Sequence, residues 1–458
     1  MTGKKALPAS FFVRYMTASV KRMLLMVMLF CGAFLIQPSA SYRIDKVTER
    51  GTLRVIGVAG PTTFLPHGAE GARGLQYELL RKFAEELHIK LEITQAPNAA
   101  AVIKALRSGN ADIGITGLAS RDPRLKSLLL SRPYLKEKQQ LIQRNNNLPV
   151  SDSPQIAVGK YSIEQQELAQ IEPNANLLAI KNASPDKLLM KLEDGSVDYA
   201  VVNEAEFAAH RAAFPELKTK TVLSEIKLAW ALRPQDQHLL KLANYFLQQS
   251  TQDGSLQRLT RFYSQGETFN TIGVKTFQRD MQARLPLYKT KFEQQAQKHS
   301  IDWRLLAAIG YQESKWDANA ISPTGVSGLM MLTKDTAKEM GIQNRDNPTQ
   351  SIQAGAAYYQ LMTQRLPDTV REPDRTWMAL ASYNMGYGNI MKARKITQKM
   401  GNDPNKWLDV SRHLRQLPRA GQALVYVQEV RRYYDALLLT TTKHSWVASI
   451  DGQKRVVQ

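Results

Sequence analysis

Apolar and polar positions change their spacing once along the chain. Between residues 43 and 267, short β-branched apolar runs alternate with segments of helical spacing. Residues 52–58 and 91–93 have the composition of buried strands, and residues 77–87 between them have apolar positions three and four apart. This alternation predicts an α/β domain with a largely parallel sheet.

The rest of the chain is predicted to be mostly helical. The composition turns polar and glycine-containing at residues 266–277, which is typical of a domain boundary, so we predict domains at residues 41–267 and 268–458. After about residue 443 the chain is polar and aperiodic, and we expect a loosely ordered tail. Apolar residues recur at helical spacing in residues 286–300, 303–311, 351–366 and 376–385.

One segment of the α/β part occurs twice. The sequence IKALRSGNADIGI at residues 103–115 is matched by LMKLEDGSVDYAV at residues 189–201. Each copy has the end of a helix, a glycine turn, and an aspartate shortly before an apolar triplet. The glycine ends the helix by adopting a positive φ, and the triplet begins a buried strand. Two copies predict two similar lobes with a cleft between them.

Residues 1–40 are predicted to be an export signal. They contain five basic and no acidic residues, an apolar run of 14 residues at 23–36, and a QPSA segment for cleavage. The run is shorter than the roughly 20 residues of a membrane span, although an uncleaved anchor is the alternative. Met16 is an alternative start. Cys31 is the one cysteine, and Phe30 before it disfavours lipidation, so we expect no disulfide and no Cys/His metal site in the exported chain.

The chain is strongly basic. Its formal net charge is +20, and residues 41–458 keep +15 after the signal is removed. This charge suits anionic surfaces such as acidic glycan strands and phospholipid head groups, or it serves only solubility. The sequence lacks zinc-finger spacing, an aromatic RNA-binding run and a clustered basic helix, so we expect no nucleic-acid partner.

A single carboxyl group stands out in the helical part. Glu313 lies between the apolar run 305–309 and a Pro/Gly turn that leads to a second apolar run. Loss of hydration raises the pKa of a carboxyl group, and this is how a general acid is made at neutral pH. Asp317 is the candidate for a second acid if the helix continues, because it would then share a face with Glu313. The alternative is a turn residue that faces water.

This region resembles the soluble-lytic-transglycosylase-type domains, which have a lysozyme-like fold. Three motifs carry the resemblance, and they occur in the order and spacing of the family: Glu313-Ser314; Ser322, Gly325, Gly328, Leu329 and Met330; and Ser382-Tyr383-Asn384. The sequence departs from the family pattern at Met331, where glutamine is usual, and at Gln422, where glutamate is frequent. Neither departure affects the acid.

The resemblance implies a cofactor-free cleavage of the β-1,4 bond between N-acetylmuramic acid and N-acetylglucosamine. Glu313 would protonate the glycosidic oxygen and then take the proton of the muramic C6 hydroxyl, which closes a 1,6-anhydro ring. No metal is implied. The two glycines would let the backbone approach the sugar, or would serve turn geometry alone.

Five further residues are candidates for substrate binding by their motif positions. Ser322 would bond the N-acetyl or lactyl region, or would cap a turn. Tyr383 would have its hydroxyl near Glu313, and Asn384 would hold a backbone or sugar group. Met330 and Tyr426 would contact the glycan, or would fill the core.

The α/β part resembles the type 3 solute-binding family, whose two lobes close on amino acids. Its Ser-x-Pro-Tyr motif is Ser131-Arg132-Pro133-Tyr134, and the arginine that binds a ligand carboxylate matches Arg124, ten residues before the tyrosine. The family's threonine before that arginine is Arg121 here, and the acid for the α-amino group is Asn203. We predict a sensor or docking module, with Arg124 and Asn203 toward its ligand and a wall-peptide stem as that ligand; the alternative is an empty cleft.

Together the two resemblances point to the membrane-bound lytic murein transglycosylase F group. They imply a periplasmic protein that binds peptidoglycan glycan strands and is peripherally associated with the inner face of the outer membrane. Two alternatives remain open on the sequence. One is a goose-lysozyme-like hydrolase, and the other is a peptide-binding sensor whose catalytic domain is inert.

Overall fold

The computed structural model describes residues 46–60, 63–67, 71–145, 151–159, 165–181, 183–263, 271–323, 325–418 and 420–456. The predicted export signal at residues 1–40, with Cys31, lies outside the described residues. The chain forms two compact units, residues 1–50 and residues 51–458. The described part of the first unit contains one short helix, α1 (Lys46–Arg50).

The second unit begins with a part in which strands and helices alternate, as the sequence predicts. A 3₁₀ turn, Pro123–Leu125, precedes the sixth strand. The other elements are, in chain order, β1 (Thr52–Val58), β2 (Leu65–His67), β3 (Gly71–Arg73), α2 (Leu75–Glu86), β4 (Lys90–Ala96), α3 (Ala99–Arg107), β5 (Ile113–Ile115), β6 (Leu129–Leu130), β7 (Leu135–Arg144), β8 (Gln155–Gly159), α4 (Gln165–Ile171), β9 (Asn176–Ile180), α5 (Pro185–Glu193), β10 (Tyr199–Asn203), α6 (Glu204–His210), β11 (Leu217–Leu228), β12 (Ala231–Leu232), α7 (Gln237–Gln252) and α8 (Ser255–Tyr263).

Two five-stranded sheets form two lobes. The first sheet has the order β4-β1-β5-β12-β6, in which β1 is parallel to β4 and β5, and β12 is antiparallel to β5. The second has the order β11-β7-β10-β8-β9, in which β8 is parallel to both neighbours and β7 is antiparallel to both. The sheets are therefore mixed rather than largely parallel. The reason is that β7 carries the chain into the second lobe and β11 carries it back, so this pair runs in opposite directions.

The repeated segment has the same structure in both lobes, as predicted. α3 and α5 each lead to a glycine with positive φ, 76° at Gly109 and 82° at Gly195, and then to β5 and β10. Asp112 and Asp198 each accept a hydrogen bond at 2.9 Å from a backbone N–H of the neighbouring strand, β1 and β8 respectively. The aspartate thus joins the end of the turn to the adjacent strand in each lobe.

The remaining described residues of the second unit are mainly helical. No helix of the described residues combines the length and apolar character of a membrane span. The predicted boundary at residue 267 falls between the described ranges and stays a prediction, as does the mobility expected after about residue 443, although the last helix extends to Val456. The helices are α9 (Thr271–Ala283), α10 (Leu285–His299), α11 (Trp303–Ser314), α12 (Lys334–Glu339), α13 (Pro348–Arg365), α14 (Asp374–Met385), α15 (Tyr387–Lys399), α16 (Trp407–Leu414) and α17 (Ala420–Val456).

Buried ion pairs join the α/β part to the helical part, and we call this contact the seam. Arg73, at the end of β3, is 1% exposed, donates to the carboxylate of Asp435 on α17, and lies 4.4 Å from the ring centroid of Tyr434. Arg81 of α2 donates to Asp374 of α14 at 2.7 Å. Removing one partner of such a pair leaves an uncompensated buried charge, so we expect the loss of any of these four residues to destabilise the seam.

Candidate active site

Helix α11 carries Glu313 in its last turn. Asp302 caps the helix by accepting the backbone N–H of Arg304 at 2.9 Å, as the sequence predicts. Leu306 and Ile309 are fully buried and fix the helix against the core. Because these apolar residues set the rotation of the helix, the side chain of Glu313 is held in a defined position four residues after Ile309.

The chain reverses directly after this helix. Lys315 and Trp316 both have left-handed backbone conformations, with φ of 54° and 56°. The indole N–H of Trp316 donates to the carbonyl oxygen of Ala307 at 2.8 Å, which pins the reversal onto α11. The helix therefore does not continue to Asp317, whose side chain is 45% exposed. Asp317 is a turn residue facing water, and the condition for a second acid on the same helical face is not met.

Ser314 links the acid's helix to the following loop. Its hydroxyl donates to the carbonyl oxygen of Leu329 at 2.8 Å and is buried. Met330, next in the chain, is fully buried and packs against Gly310 and Gly355, where an added Cβ would meet its side chain at 3.2 Å and 2.7 Å. Met330 thus packs in the core, in agreement with one of its two predicted roles, and its contact with the glycan stays a prediction.

The loop between Ser314 and α12 contains two turns, closed by hydrogen bonds from Gly325 to Ser322 and from Met331 to Gly328. The hydroxyl of Ser322 accepts the backbone N–H of Val326 at 3.0 Å, so Ser322 caps a turn, as one of its two predicted roles requires. Gly325 and Gly328 both have positive φ, of 78° and 83°. At Gly328 an added Cβ would lie 2.1 Å from the carbonyl oxygen of Arg345, so this glycine admits a neighbouring backbone segment.

We expect Gly328→Ala to lower the free energy of unfolding by about 3 kcal/mol, because backbone strain at positive φ and a clash with a carbonyl both oppose the methyl group. Gly325→Ala is the matched control. Its φ is similar, but no atom of the described residues lies within 4 Å of the added Cβ, so only the backbone strain of about 1 kcal/mol applies. Urea denaturation of the two variants measures the difference, and equal losses would contradict the close approach at residue 328.

Glu313 is closely surrounded by protein atoms, but part of its surface is accessible to solvent. Its side chain is partly exposed by surface area, yet protein atoms surround it on most sides, and this burial raises its pKa to about 7. The phenol of Tyr426 on α17 donates to its Oε1 at 2.6 Å and counters part of that rise, as does the positive charge of Lys315. Near neutral pH the group can therefore exist in both protonation states, which acid and base catalysis by one residue needs.

Lys315 is a site neighbour that the motifs did not indicate. Its ammonium lies 4.6 Å from the ring centroid of Tyr311 and 4.8 Å from that of Tyr433, and it donates to the Tyr433 hydroxyl at 3.1 Å. Burial is the first cause that lowers its pKa. The tyrosines of α11 and α17 were the available signal, but no sequence rule assigns such rings to a cation two residues after an acid.

The Ser-Tyr-Asn triplet lies at the end of α14. The hydroxyl of Tyr383 donates to the backbone carbonyl of Met330 at 3.2 Å. Burial, and then the negative charge of Glu313, raise the pKa of this phenol well above its usual value. Tyr383 is thus near Glu313 as predicted, but the direct hydrogen bond to the acid comes from Tyr426. Asn384 is exposed, which fits a sugar contact better than a buried backbone contact.

We expect Tyr426→Phe to raise the pKa of Glu313 further and to move the alkaline limb of the pH–rate profile upward by about one unit or more. A hydrogen bond to a charged group is worth about 1.5–3 kcal/mol. The bond from Tyr426 stabilises the ionised form of Glu313, and the variant lacks this bond. Steady-state rates from pH 5 to pH 9 provide the measurement, with Tyr383→Phe as control, since that hydroxyl bonds a carbonyl instead. A limb that stays in place in Tyr426→Phe would disprove the pairing.

The two residues predicted to bind the ligand of the α/β part have partners within the protein. The guanidinium of Arg124 donates to both carboxylate oxygens of Asp122, at 2.9 Å and 2.7 Å. Asn203 ends β10, and its Oδ1 accepts from Gln139 at 3.4 Å. Whether either residue binds a ligand stays a prediction.

Comparison with known proteins gives a consistent result for both parts. Residues 54–266 match the family model of bacterial extracellular solute-binding proteins, family 3, and residues 290–406 match that of the transglycosylase SLT domain. A membrane-bound lytic murein transglycosylase F of Alcanivorax borkumensis is 39% identical over 425 residues, covering 88% of this chain and 90% of the relative. The chain belongs to the membrane-bound lytic murein transglycosylase F family. The Pseudomonas putida member is 37% identical and covers 90% of each chain.

Among solved structures, this chain is similar to a mutant of ArgBP from T. maritima. The identity is 22% and the TM-score is 0.42, and the match covers 48% of this chain and 97% of that chain. The fold of the family, an α/β solute-binding-like part followed by a mainly helical SLT domain, is the one predicted from the sequence.

Proposed function

We propose that this protein is a peptidoglycan lytic transglycosylase in which Glu313 serves first as acid and then as base. The observation that supports this most strongly is the isolation of the acid. Burial raises the pKa of Glu313 to about 7, and no second carboxylate contributes to that pKa among the described residues. A hydrolase of the usual kind needs two carboxyl groups about 5–9.5 Å apart, and Asp317 faces water instead.

The proposed reaction follows from one acid and one substrate hydroxyl. Protonated Glu313 gives its proton to the oxygen of the β-1,4 bond as that bond to C1 of N-acetylmuramic acid breaks. The acetamido oxygen of the same sugar stabilises the positive charge that develops at C1. The ionised carboxylate then takes the proton of the C6 hydroxyl, whose oxygen bonds C1 and closes the 1,6-anhydro ring. Glu313 ends protonated, and no water is consumed.

Tyr426 supports both halves of this cycle. Its hydroxyl occupies Oε1 of Glu313 at 2.6 Å, so Oε2 is the oxygen that would carry the transferred proton. After the first transfer the same hydrogen bond stabilises the new carboxylate. It thereby keeps the pKa of Glu313 from rising above about 7. The residues at the site require no cofactor or metal for this sequence of steps.

The test is the chemistry of the product ends. Purified sacculi are digested with the protein and the released muropeptides are measured by mass spectrometry. We expect muramic ends that lack the mass of one water and resist reduction by borohydride. Reducible muramic ends would favour the goose-lysozyme-like hydrolase, and intact sacculi would favour a binding protein with an inert catalytic domain. The family membership and the closed contact between Glu313 and Tyr426 support the first outcome.

For the α/β part we propose a sensor or docking role, with a wall-peptide stem as its ligand, and for the whole protein a periplasmic location at the inner face of the outer membrane. The solute-binding-like fold and the basic net charge of +20 support these proposals. The family name describes its members as membrane-bound. Fractionation of cells with and without residues 1–40 tests the location, and a chain found entirely in the cytoplasm would contradict it.

A further inference from the structure

Two arginines of the seam each have a pair of hydrogen-bond donors without an acceptor. Arg73 and Arg431 are each 1% exposed. Both use Nη1 to bind the carboxylate of Asp435: Arg73 donates to Oδ1, and Arg431 donates to Oδ2 at 2.8 Å. On both side chains, Nε and Nη2 are buried and have no hydrogen-bond partner among the described residues. Four buried donors of two charged groups around one carboxylate are therefore unsatisfied.

At other arginines of this chain the same donors are occupied. The Nε–H and Nη2–H of a guanidinium point in one direction and form a fork that fits an anion. Arg304 donates through this fork to Asp302 at 2.9 Å and 2.7 Å, and Arg124 donates to Asp122 at the same two distances. Their side chains are 28% and 26% exposed. The two forks of the seam are buried more deeply, where a missing acceptor costs more free energy.

The charges around Asp435 are unbalanced as well. Its carboxylate serves both guanidinium groups of the seam. Burial lowers the pKa of Arg431, Asp435 counters part of this effect, and the positive charges of Arg432 and Arg73 add to it. Arg432 is itself paired with Glu429. Two positive charges thus share one negative charge, and a monovalent anion would restore the balance.

The nearby carboxyl group of Glu78 does not provide that negative charge. It accepts a hydrogen bond from Tyr263 and lies 3.6 Å from Arg81, which also binds Asp374. Burial, and then the negative charge of Asp374, raise the pKa of Glu78 to about 7. Much of this group is therefore neutral near neutral pH, and its attraction is directed to Arg81.

Aromatic rings line the region of the two forks. The guanidinium carbon of Arg431 lies 5.4 Å from the ring centroids of both Phe262 and Tyr263, and that of Arg73 lies 4.4 Å from the centroid of Tyr434. Aromatic faces attract a cation, but they are weak acceptors for N–H groups. An anion bound here loses most of its hydration, which favours a small ion of single charge over phosphate or sulfate.

We propose that the seam contains a halide site, in which the forks of Arg73 and Arg431 bind one chloride ion. The ion accepts hydrogen bonds from the N–H groups that Asp435 does not reach, and it balances the second guanidinium charge. Arg73 ends β3 of the α/β part and Arg431 lies on α17, so the ion joins the two parts at their contact. The site is independent of the proposed catalytic role of Glu313.

Anomalous scattering tests the site directly. Crystals of the full-length exported protein are grown with sodium bromide in place of sodium chloride and measured at the bromine absorption edge. We expect an anomalous peak within hydrogen-bonding reach of Nε and Nη2 of both arginines. An ordered water without anomalous signal at that position would overturn the inference, and so would bromide found only as an adventitious ion on the surface.

Thermal unfolding measures the contribution of the ion in solution. The same protein is melted in sodium chloride and in sodium gluconate at equal ionic strength and equal pH. A ligand that binds only the folded state raises Tm as its concentration exceeds the dissociation constant. For a chain of this length we expect a rise of about 1–2 °C when chloride is at ten times that constant. A Tm that does not depend on the anion would contradict the site.

Two variants assign the chloride effect to the forks. Arg431→Lys keeps the positive charge but has no fork, so we expect it to remove the difference in Tm between the two salts. Arg54→Lys is the matched control, because the fork of Arg54 on β1 is filled by Asp112 at 3.3 Å and 3.0 Å. We expect it to lower Tm equally in both salts and to keep the difference. A full chloride effect in Arg431→Lys would overturn the inference, and the bromide crystals decide if that variant does not fold.

Discussion

Glu313→Gln is expected to reduce the rate of muropeptide release by about 10³-fold or more, while the protein folds normally. General acid–base catalysis by one group contributes about 10²–10⁴-fold, and here one side chain serves both steps. Glutamine has the shape of glutamic acid and keeps the hydrogen bond with Tyr426, but it carries no transferable proton. The measurement is the initial rate of soluble muropeptide release from sacculi. A variant with more than a tenth of the wild-type rate would rule out Glu313 as the acid.

The same substitution has a second, independent consequence. Because the folded protein holds the pKa of Glu313 at about 7, above its value in the unfolded chain, folding favours the protonated form. This contribution is present at low pH and is lost as the pH rises through 7. We therefore expect Glu313→Gln to gain stability relative to wild type between pH 5 and pH 8 in thermal melts. Asp317→Asn, at an exposed turn, is the control and changes neither the rate nor this pH dependence.

Arg73→Met is expected to lower the free energy of unfolding by about 3–5 kcal/mol, the usual loss when one partner of a buried ion pair is removed. Asp435 would keep its bond with Arg431, at 2.8 Å, but would lose the partner that joins it to the α/β part. Chemical denaturation followed by tryptophan fluorescence and by circular dichroism measures the loss.

Lys90→Met provides the comparison, because its ammonium is in an exposed pair with Glu92, at 3.7 Å and with 75% of the lysine side chain accessible. Exposed pairs of this kind contribute about 0–1 kcal/mol. If Arg73→Met cost no more than Lys90→Met, the seam would not contribute to stability in the way that its burial implies.

The sequence predicted the parts of this structure that depend on local pattern. The cap at Asp302, the acid in an apolar helix end and the two glycine turns at Gly109 and Gly195 all follow from residue type and spacing. Each of these features involves residues that are neighbours in the chain or share one helix face, so pattern is sufficient to find them.

The features that the sequence did not reveal depend on contacts across long separations. Tyr426, 113 residues after Glu313, donates to the acid although Tyr383 belongs to the clearer motif. Arg73 and Asp435, which form the seam, are 362 residues apart. The spacing of apolar residues does not show which helices pack against each other. These partners are therefore identified only by the three-dimensional structure. The mixed sheets had the same cause, since the return strand β11 is recognised by its pairing alone.

The reversal at Lys315 and Trp316 limits how the site can be redesigned. Two consecutive residues with φ near 55° accept glycine, asparagine or aspartate without much strain, whereas valine, isoleucine and threonine are disfavoured there. Libraries that aim to alter glycan preference would thus lose most of their members if they randomised these two positions. The exposed side chain of Ile321, close to the capped turn and outside the core, is a more permissive starting point for such engineering.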